Sequence, residues 1–268
     1  PISDFPFILE SIKIGISNSH YYNSLYLLYY SLLDQQNREI VFTVLPEIIF
    51  FIIDQSESFT HYDLLFIFFG VLEQIFRFYP TETEFLSAII ERFKPMTFQI
   101  AFSFNDVKIL DPIFFFLTLA SSEQMVKSFV SQCFPDHTAC ILFVVNTISS
   151  GSVNHRRAGI SFLYLLLKYS NPESIEFLKE NGFINVCLGF LSSQNVEEVQ
   201  MMVNFLKDLI KLDFQYRTYV HSFFEAILDD IIAIDEIDLS EEELANLDNL
   251  EEIQRYLEYI FQKDSIPK

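Results

Sequence analysis

Ile148-Ser149-Ser150-Gly151-Ser152-Val153 and Leu191-Ser192-Ser193-Gln194-Asn195-Val196 are two versions of one phrase, set 43 residues apart. One inserted residue later the match resumes at an offset of 44, with Ala158, Phe162, Tyr164, Leu165 and Leu166 falling on Met202, Leu206, Asp208, Leu209 and Ile210. A recurrence every ~40 residues marks a supersecondary unit that is copied and stacked, because so short a unit cannot bury its apolar face alone. In the second copy Val199, Met202, Val203, Leu206, Leu209 and Ile210 recur at i, i+3, i+4 and i+7. That spacing makes one apolar stripe on an α-helix. A third copy is read in Ile253, Leu257, Tyr259 and Ile260, at an offset of 51 from Met202, Leu206, Asp208 and Leu209, with the extra residues in an acidic stretch at about 235–249.

Outward from these copies the helical period continues nearly everywhere. Breakers fall between the periodic stretches, at Pro46, Pro80, Pro95, Pro112, Pro135, Pro172 and Gly182. Alternation of period two is missing, so no segment asks for a strand. Helices are expected over 5–15, 20–34, 38–54, 60–79, 82–94, 96–103, 111–119, 121–133, 137–150, 154–169, 172–180, 183–192, 195–212, 215–234 and 249–263. Asn171 before Pro172 suits a helix start, since the ring fits the first helical position. Ser240 with Glu243 reads as a capping box.

One unit is the most complete: Asn171-Pro172, then Phe177-Leu178-Lys179-Glu180-Asn181-Gly182-Phe183-Ile184, Leu188, Leu191-Ser192-Ser193, Val196, Glu198-Val199-Gln200 and Phe205-Leu206-Lys207-Asp208-Leu209. It resembles the armadillo/HEAT class of helical repeats. The resemblance covers 138–215 best, extends to 263, and is weakest before 138. It implies an all-α, right-handed α-α superhelix of about six repeats over residues 1–268, taken as a single domain. In each repeat a short first helix ends at a Gly turn, and a second and a longer third helix pack as a hairpin. It further implies a concave face of third helices that binds a protein or an extended peptide. The groove-facing residues expected on that basis are Arg157, Ile160 and Tyr164 from one repeat and Asn204, Asp208 and Lys211 from the next. The chain departs from the peptide-reading members of the class, whose third helices often carry a backbone-clamping Asn with a Trp one turn earlier. Here Tyr164 and Asp208 occupy the Asn positions, Ile160 and Asn204 the Trp positions, and the chain contains no Trp. An import-receptor type of clamp is therefore not expected.

Composition narrows the function. Half the residues are hydrophobic and 16% are aromatic, with 31 Phe and 13 Tyr, so the chain has the material for a packed core. An A+T-rich coding sequence accounts for this Phe and Ile excess as readily as an aromatic binding platform does. The net charge is −20 and unevenly spread: −9 over 1–150, zero over 151–217 and −11 over 218–268. Such a surface repels nucleic-acid phosphates and is complementary to a basic segment of a partner protein. Three Cys, at 133, 140 and 187, make no disulfide framework, and no Asn-x-Ser/Thr sequon occurs. Both features fit the cytoplasm, with the nucleus also open. Neither a signal peptide nor a membrane span is expected, because the longest apolar run, Ile40–Ile53, is interrupted by Pro46 and Glu47.

Candidate chemistry is sparse. Cys133, His137 and Cys140 form a C-x3-H-x2-C cluster with three of the four ligands zinc requires. Two packed thiols with a surface His between them is the plainer reading, and no metal or other cofactor is expected. The twelve carboxylates between Arg217 and Arg255 lack the Gly and the ligand spacing of a calcium loop. Arg156-Arg157 opens a helix, where cations are mildly unfavourable. The pair would hold a carboxylate of the neighbouring repeat or an acidic group of a partner. Phosphate-loop, zinc-protease and nucleophile-elbow motifs do not occur. The expectation is a non-catalytic interaction scaffold. Its alternatives are a subunit that docks through exposed aromatic surface and a helical bundle with a small-molecule pocket.

Overall fold

A computed structural model describes residues 10–12, 14–15, 20–191, 193, 195–212, 219, 222 and 223, and among these every regular element is helical. In chain order they are α1 (Tyr21–Leu33), α2 (Arg38–Phe42), α3 (Leu45–Gln55), α4 (Tyr62–Phe78), α5 (Thr83–Arg92), α6 (Met96–Phe102) and α7 (Leu110–Ala120). They continue as α8 (Glu123–Cys133), α9 (His137–Ser150), α10 (Val153–Lys168), α11 (Glu173–Glu180), α12 (Phe183–Leu191) and α13 (Val196–Ile210). Short 3-10 turns precede α4 at Ser56–Ser58 and α7 at Val107–Ile109. No single helix among the described residues is long and apolar enough to cross a membrane. The expected helices at 215–234 and 249–263, most of 5–15, the Ser240 capping box, the third copy and the acidic stretch 235–249 lie outside the described residues.

The expected helix 38–54 is in fact two, α2 and α3, parted at Thr43 and Val44. Pro46 is the cause. It lacks the N–H that would bond to the Phe42 carbonyl, and its ring would strike that carbonyl, so it is tolerated only in the first turn of a new helix.

The chain divides into two compact units, 1–136 and 137–268. In the first, α1, α4 and α7 lie side by side, while α3 packs on α5 and α6 on α8. In the second, α10 lies against α13 and also packs on α9, and α11, α12 and α13 fold on one another in sequence. The helices α1, α4, α7, α10 and α13 begin at residues 21, 62, 110, 153 and 196, a spacing of 41 to 48 residues. The repeat that is hard to read before residue 138 is therefore present as helix triples, α2-α3-α4 and α5-α6-α7. It is masked in the sequence because α4 is apolar on nearly every side, burying eleven of its seventeen residues.

The core of the first unit is aromatic. Phe98, fully buried, has the rings of Phe93, Phe129 and Phe69 at 4.7, 5.4 and 5.7 Å. Phe116 joins Phe69, Phe76 and Phe93 at 5.4–6.1 Å. Tilted and edge-on pairs of this kind add to plain area burial. The second unit is built on Ile141, Val144, Ile148, Phe162, Leu166 and Phe183, all fully buried. Val199, Met202, Val203, Leu206 and Leu209 form the buried stripe read from the sequence.

Two glycines have structural reasons. Gly159 lets α10 approach α9, since a Cβ there would meet the Ile148 side chain at 2.8 Å. Gly182 has φ +80° and turns the chain from α11 into α12. A Cβ at Gly182 would meet nothing nearer than the Asn185 side chain at 3.9 Å. Gly182→Ala is thus expected to cost only the left-handed backbone penalty, about 1 kcal/mol in denaturant unfolding. A loss well above 2 kcal/mol would mean that the turn is held by packing instead.

Candidate functional site

The polar faces of α10 and α13 meet in the second unit, where two pairs of ionised side chains join the helices near their starts. Arg156 donates to Glu198 at 2.7 Å and Arg157 to Glu197 at 2.9 Å. The adjacent arginines thus hold carboxylates of the neighbouring repeat, the first of the two uses read from the sequence. The two pairs differ in burial. Glu198 is buried and also accepts from the Ser193 hydroxyl at 2.7 Å, and the Arg156 guanidinium lies 5.5 Å from the Phe190 ring. Glu197 is 70% exposed, so its pair with Arg157 sits in solvent. The α13 start is capped by Asn195, whose side chain accepts from the Glu197 N–H at 3.0 Å.

Farther along, Asn204 is exposed and accepts from the Gln200 amide at 3.0 Å, and Lys211 donates to Asp208 at 2.7 Å. Tyr164 on α10 faces these groups. Burial raises its phenol pKa first, and the Asp208 carboxylate raises it further. Five of the six expected residues, Arg157, Tyr164, Asn204, Asp208 and Lys211, are exposed or half-exposed at the α10/α13 face. Ile160 is the exception. It is only 3% exposed and packs in the core, because it falls on the buried side of α10 with Leu163 and Leu167. Glu197 and Gln200 belong to this surface although the motif did not point to them. The i, i+3 step from Glu197 to Gln200 and the i, i+4 step from Gln200 to Asn204 were the available signal.

Little else gathers reactive groups. Cys133 closes α8, His137 opens α9 with its Nε2 3.4 Å from the Leu166 carbonyl oxygen, and Cys140 is buried. Among the described residues no three His, Cys, Asp or Glu side chains are gathered as a metal would need. Burial pushes the Cys133 thiol up to about 12 and raises Cys187 as well, which holds both protonated and poorly nucleophilic. A shallow depression of about 720 Å³ follows the α8 face of Ser122, Glu123, Lys127 and Ser131, where Glu123 and Lys127 pair with each other.

No protein-family model matches the sequence, and no curated protein matches it. Solved structures do match. A designed armadillo repeat protein in complex with the peptide (KR)4 superposes with a TM-score of 0.60 at 9% identity, covering 93% of this chain and 99% of its own. Two engineered proteins from a structural genomics consortium superpose with TM-scores of 0.58 and 0.54 at 12% and 11% identity. They cover 92% and 85% of this chain, and 96% and 91% of their own. At such identities the likeness speaks for the fold alone, and the fold of this chain is an all-α, armadillo-like solenoid of helical repeats.

Proposed function

We propose that the protein is a non-catalytic repeat scaffold that binds another protein or an extended peptide along the polar face shared by α10 and α13. The observation that carries this reading is the register of those helices. They start 43 residues apart, lie side by side, and expose side chains of successive repeats on one surface. An extended chain laid across such a surface meets comparable groups at regular intervals, which is how stacked repeats gain affinity from weak contacts. The amides of Gln200 and Asn204 suit a partner's backbone, and Asp208 suits a donor. The overall charge of −20 favours encounter with basic partners. A place in the cytoplasm or nucleus belongs to the same proposal.

The test is a peptide array probed with the intact chain and with an Asn204→Ala/Asp208→Arg variant. Peptides bound through this face are expected to lose about tenfold in affinity, the effect of removing one or two interface anchors. Identical binding profiles for the two proteins would remove the face from the binding reaction. The second reading, a subunit docking through aromatic surface, is favoured by the exposure of Tyr22, Tyr26, Tyr30, Phe51 and Phe66.

A further inference from the structure

In the first unit a corner of exposed rings is built where α4 begins. Tyr62 opens α4, and Phe66, one turn on, stacks against it at 6.1 Å. The loop between α6 and α7 sets Phe104 edge-on to Tyr62 at 5.8 Å. In that loop Asn105, at φ 50°, takes the left-handed turn that Asn tolerates better than most residues. Asp106 then fixes the loop, its side chain accepting the Lys108 N–H at 2.9 Å. Phe66 is 41% exposed, Phe104 38% and Val107 43%, while Tyr62 between the rings is half-buried. Two elements thus hold the rings in place and leave them open to solvent.

Open carboxylates stand at these rings. Asp63 follows Tyr62 in the first turn of α4, Asp106 faces the phenol from the loop, and both are exposed. Among the described residues neither is ion-paired, although Lys108 is close by in the chain. Burial first, then Asp106, Asp63 and Asp111, pushes the Tyr62 phenol up to about 12. The stretches 59–66 and 102–111 that build the corner hold those three carboxylates against Lys108 as their one Lys or Arg.

This chemistry selects one kind of occupant. Ring faces attract a cation and repel an anion. An apolar side chain laid here would strip water from Asp63 and Asp106 without replacing it. A guanidinium meets both demands, since it stacks flat on a ring while its N–H donors reach a carboxylate. The same unit already treats its own arginines so. Arg92 lies 4.6 Å from the Phe50 ring and 3.5 Å from the Asp54 carboxylate, and Arg38 lies 3.5 Å from the Phe78 ring. Phe50 and Asp54 are one turn apart on α3, as Asp63 and Phe66 are on α4. We propose that the corner of Tyr62, Phe66 and Phe104, with Asp63 and Asp106 at its edge, binds an arginine side chain of a partner protein. The proposal rests on the scaffold reading but places this contact at a helix start and a loop, away from the α10/α13 face.

The experiment measures, by fluorescence anisotropy, binding of the intact chain to fluorescein-labelled peptides that alternate Ser with Arg, with Lys or with Glu. The Arg peptide is expected to bind best and the Glu peptide not at all. Asp63→Asn/Asp106→Asn keeps the rings, and an amide oxygen can still accept the Lys108 N–H. It is expected to weaken the Arg peptide about fivefold, the size of two exposed ion pairs. Phe66→Leu, which keeps an apolar side chain but removes the ring face, is expected to weaken it about threefold. Asn204→Ala/Asp208→Arg is expected to leave it within about twofold, since distant exposed charges are screened. Circular dichroism melting checks that each variant folds like the parent. Arg-peptide binding unchanged by both corner variants overturns the proposal, and so does equal binding of the Arg and Lys peptides or no binding of the Arg peptide. If the corner fails while the array still loses its peptides in the α10/α13 variant, the scaffold reading stands. If the corner variants weaken the Arg peptide and the array is unchanged, the corner stands and the α10/α13 face falls.

Discussion

Phe98→Ala is expected to destabilise the first unit by about 4 kcal/mol, the range for emptying an aromatic position in a packed core. Phe98 is 0% exposed and touches the rings of Phe69, Phe93 and Phe129, which belong to three different segments. Its removal costs the transfer energy of the ring and leaves a cavity whose walls are stiff rings that cannot collapse into it. Phe51→Ala, at a position 45% exposed, is the matched comparison and is expected to cost under about 1 kcal/mol. Urea unfolding of the two variants separates the cases. Equal losses would show that the aromatic cluster is not where the unit holds its stability.

Glu198→Ala is expected to cost about 2–3 kcal/mol, far more than any surface ion pair. Glu198 is 7% exposed and serves two donors, Arg156 at 2.7 Å and Ser193 at 2.7 Å. Truncation leaves a guanidinium, 30% exposed and wedged near Phe190, without its counter-charge, and the Ser193 hydroxyl without that acceptor. The partial exposure of Arg156 keeps the loss below that of a fully buried pair. Glu197→Ala, one residue away but 70% exposed, is expected to change stability by less than about 0.5 kcal/mol. Replacing both partners, Arg156→Met with Glu198→Leu, is expected to recover most of the loss, because no charge is then left buried. Thermal unfolding of the double-mutant cycle checks this. Additive costs would mean that the two side chains do not act as a pair.

Most helices were legible because the signals that make them are local. The 3.6-residue period of Val199 to Leu209, Pro172 ahead of α11 and Gly182 at its end are all readable within a single turn or two of chain. The observed bounds of α6, α8, α9, α11, α12 and α13 fall within two residues of those expected. The one break missed, at Thr43-Val44, was signalled by Pro46, which fits the first turn of a helix and forbids its interior. The proposed α10/α13 face was legible in part. The repeat offset aligned α10 with α13, and the exposed positions 204, 208 and 211 follow from the stripe opposite them. Ile160 was misplaced because a repeat position identifies the helix, whereas the neighbouring helices decide which of its side chains are exposed.

By itself the sequence determined that this chain is helical, where most of the described helices stop, and that the repeat phrases at 148 and 191 stand for one stacked unit. Those outcomes rest on backbone sterics and on an apolar period that reaches no farther than a few residues. Only the tertiary structure decided which side of an apolar helix is inside. In α4 Phe68 and Phe69 are buried while Phe66, one turn away from Phe69, is 41% exposed, although all three are the same residue. It likewise decided that Glu198 is buried and Glu197 solvated, and that Tyr29 lies across Gly70 while Tyr30 faces outward. These are contacts between residues about 40 positions apart, and their energy depends on the shape and charge of the opposing helix. The repeat phrase thus announces that helices stack, and the stacking assigns each residue to the core or to the surface.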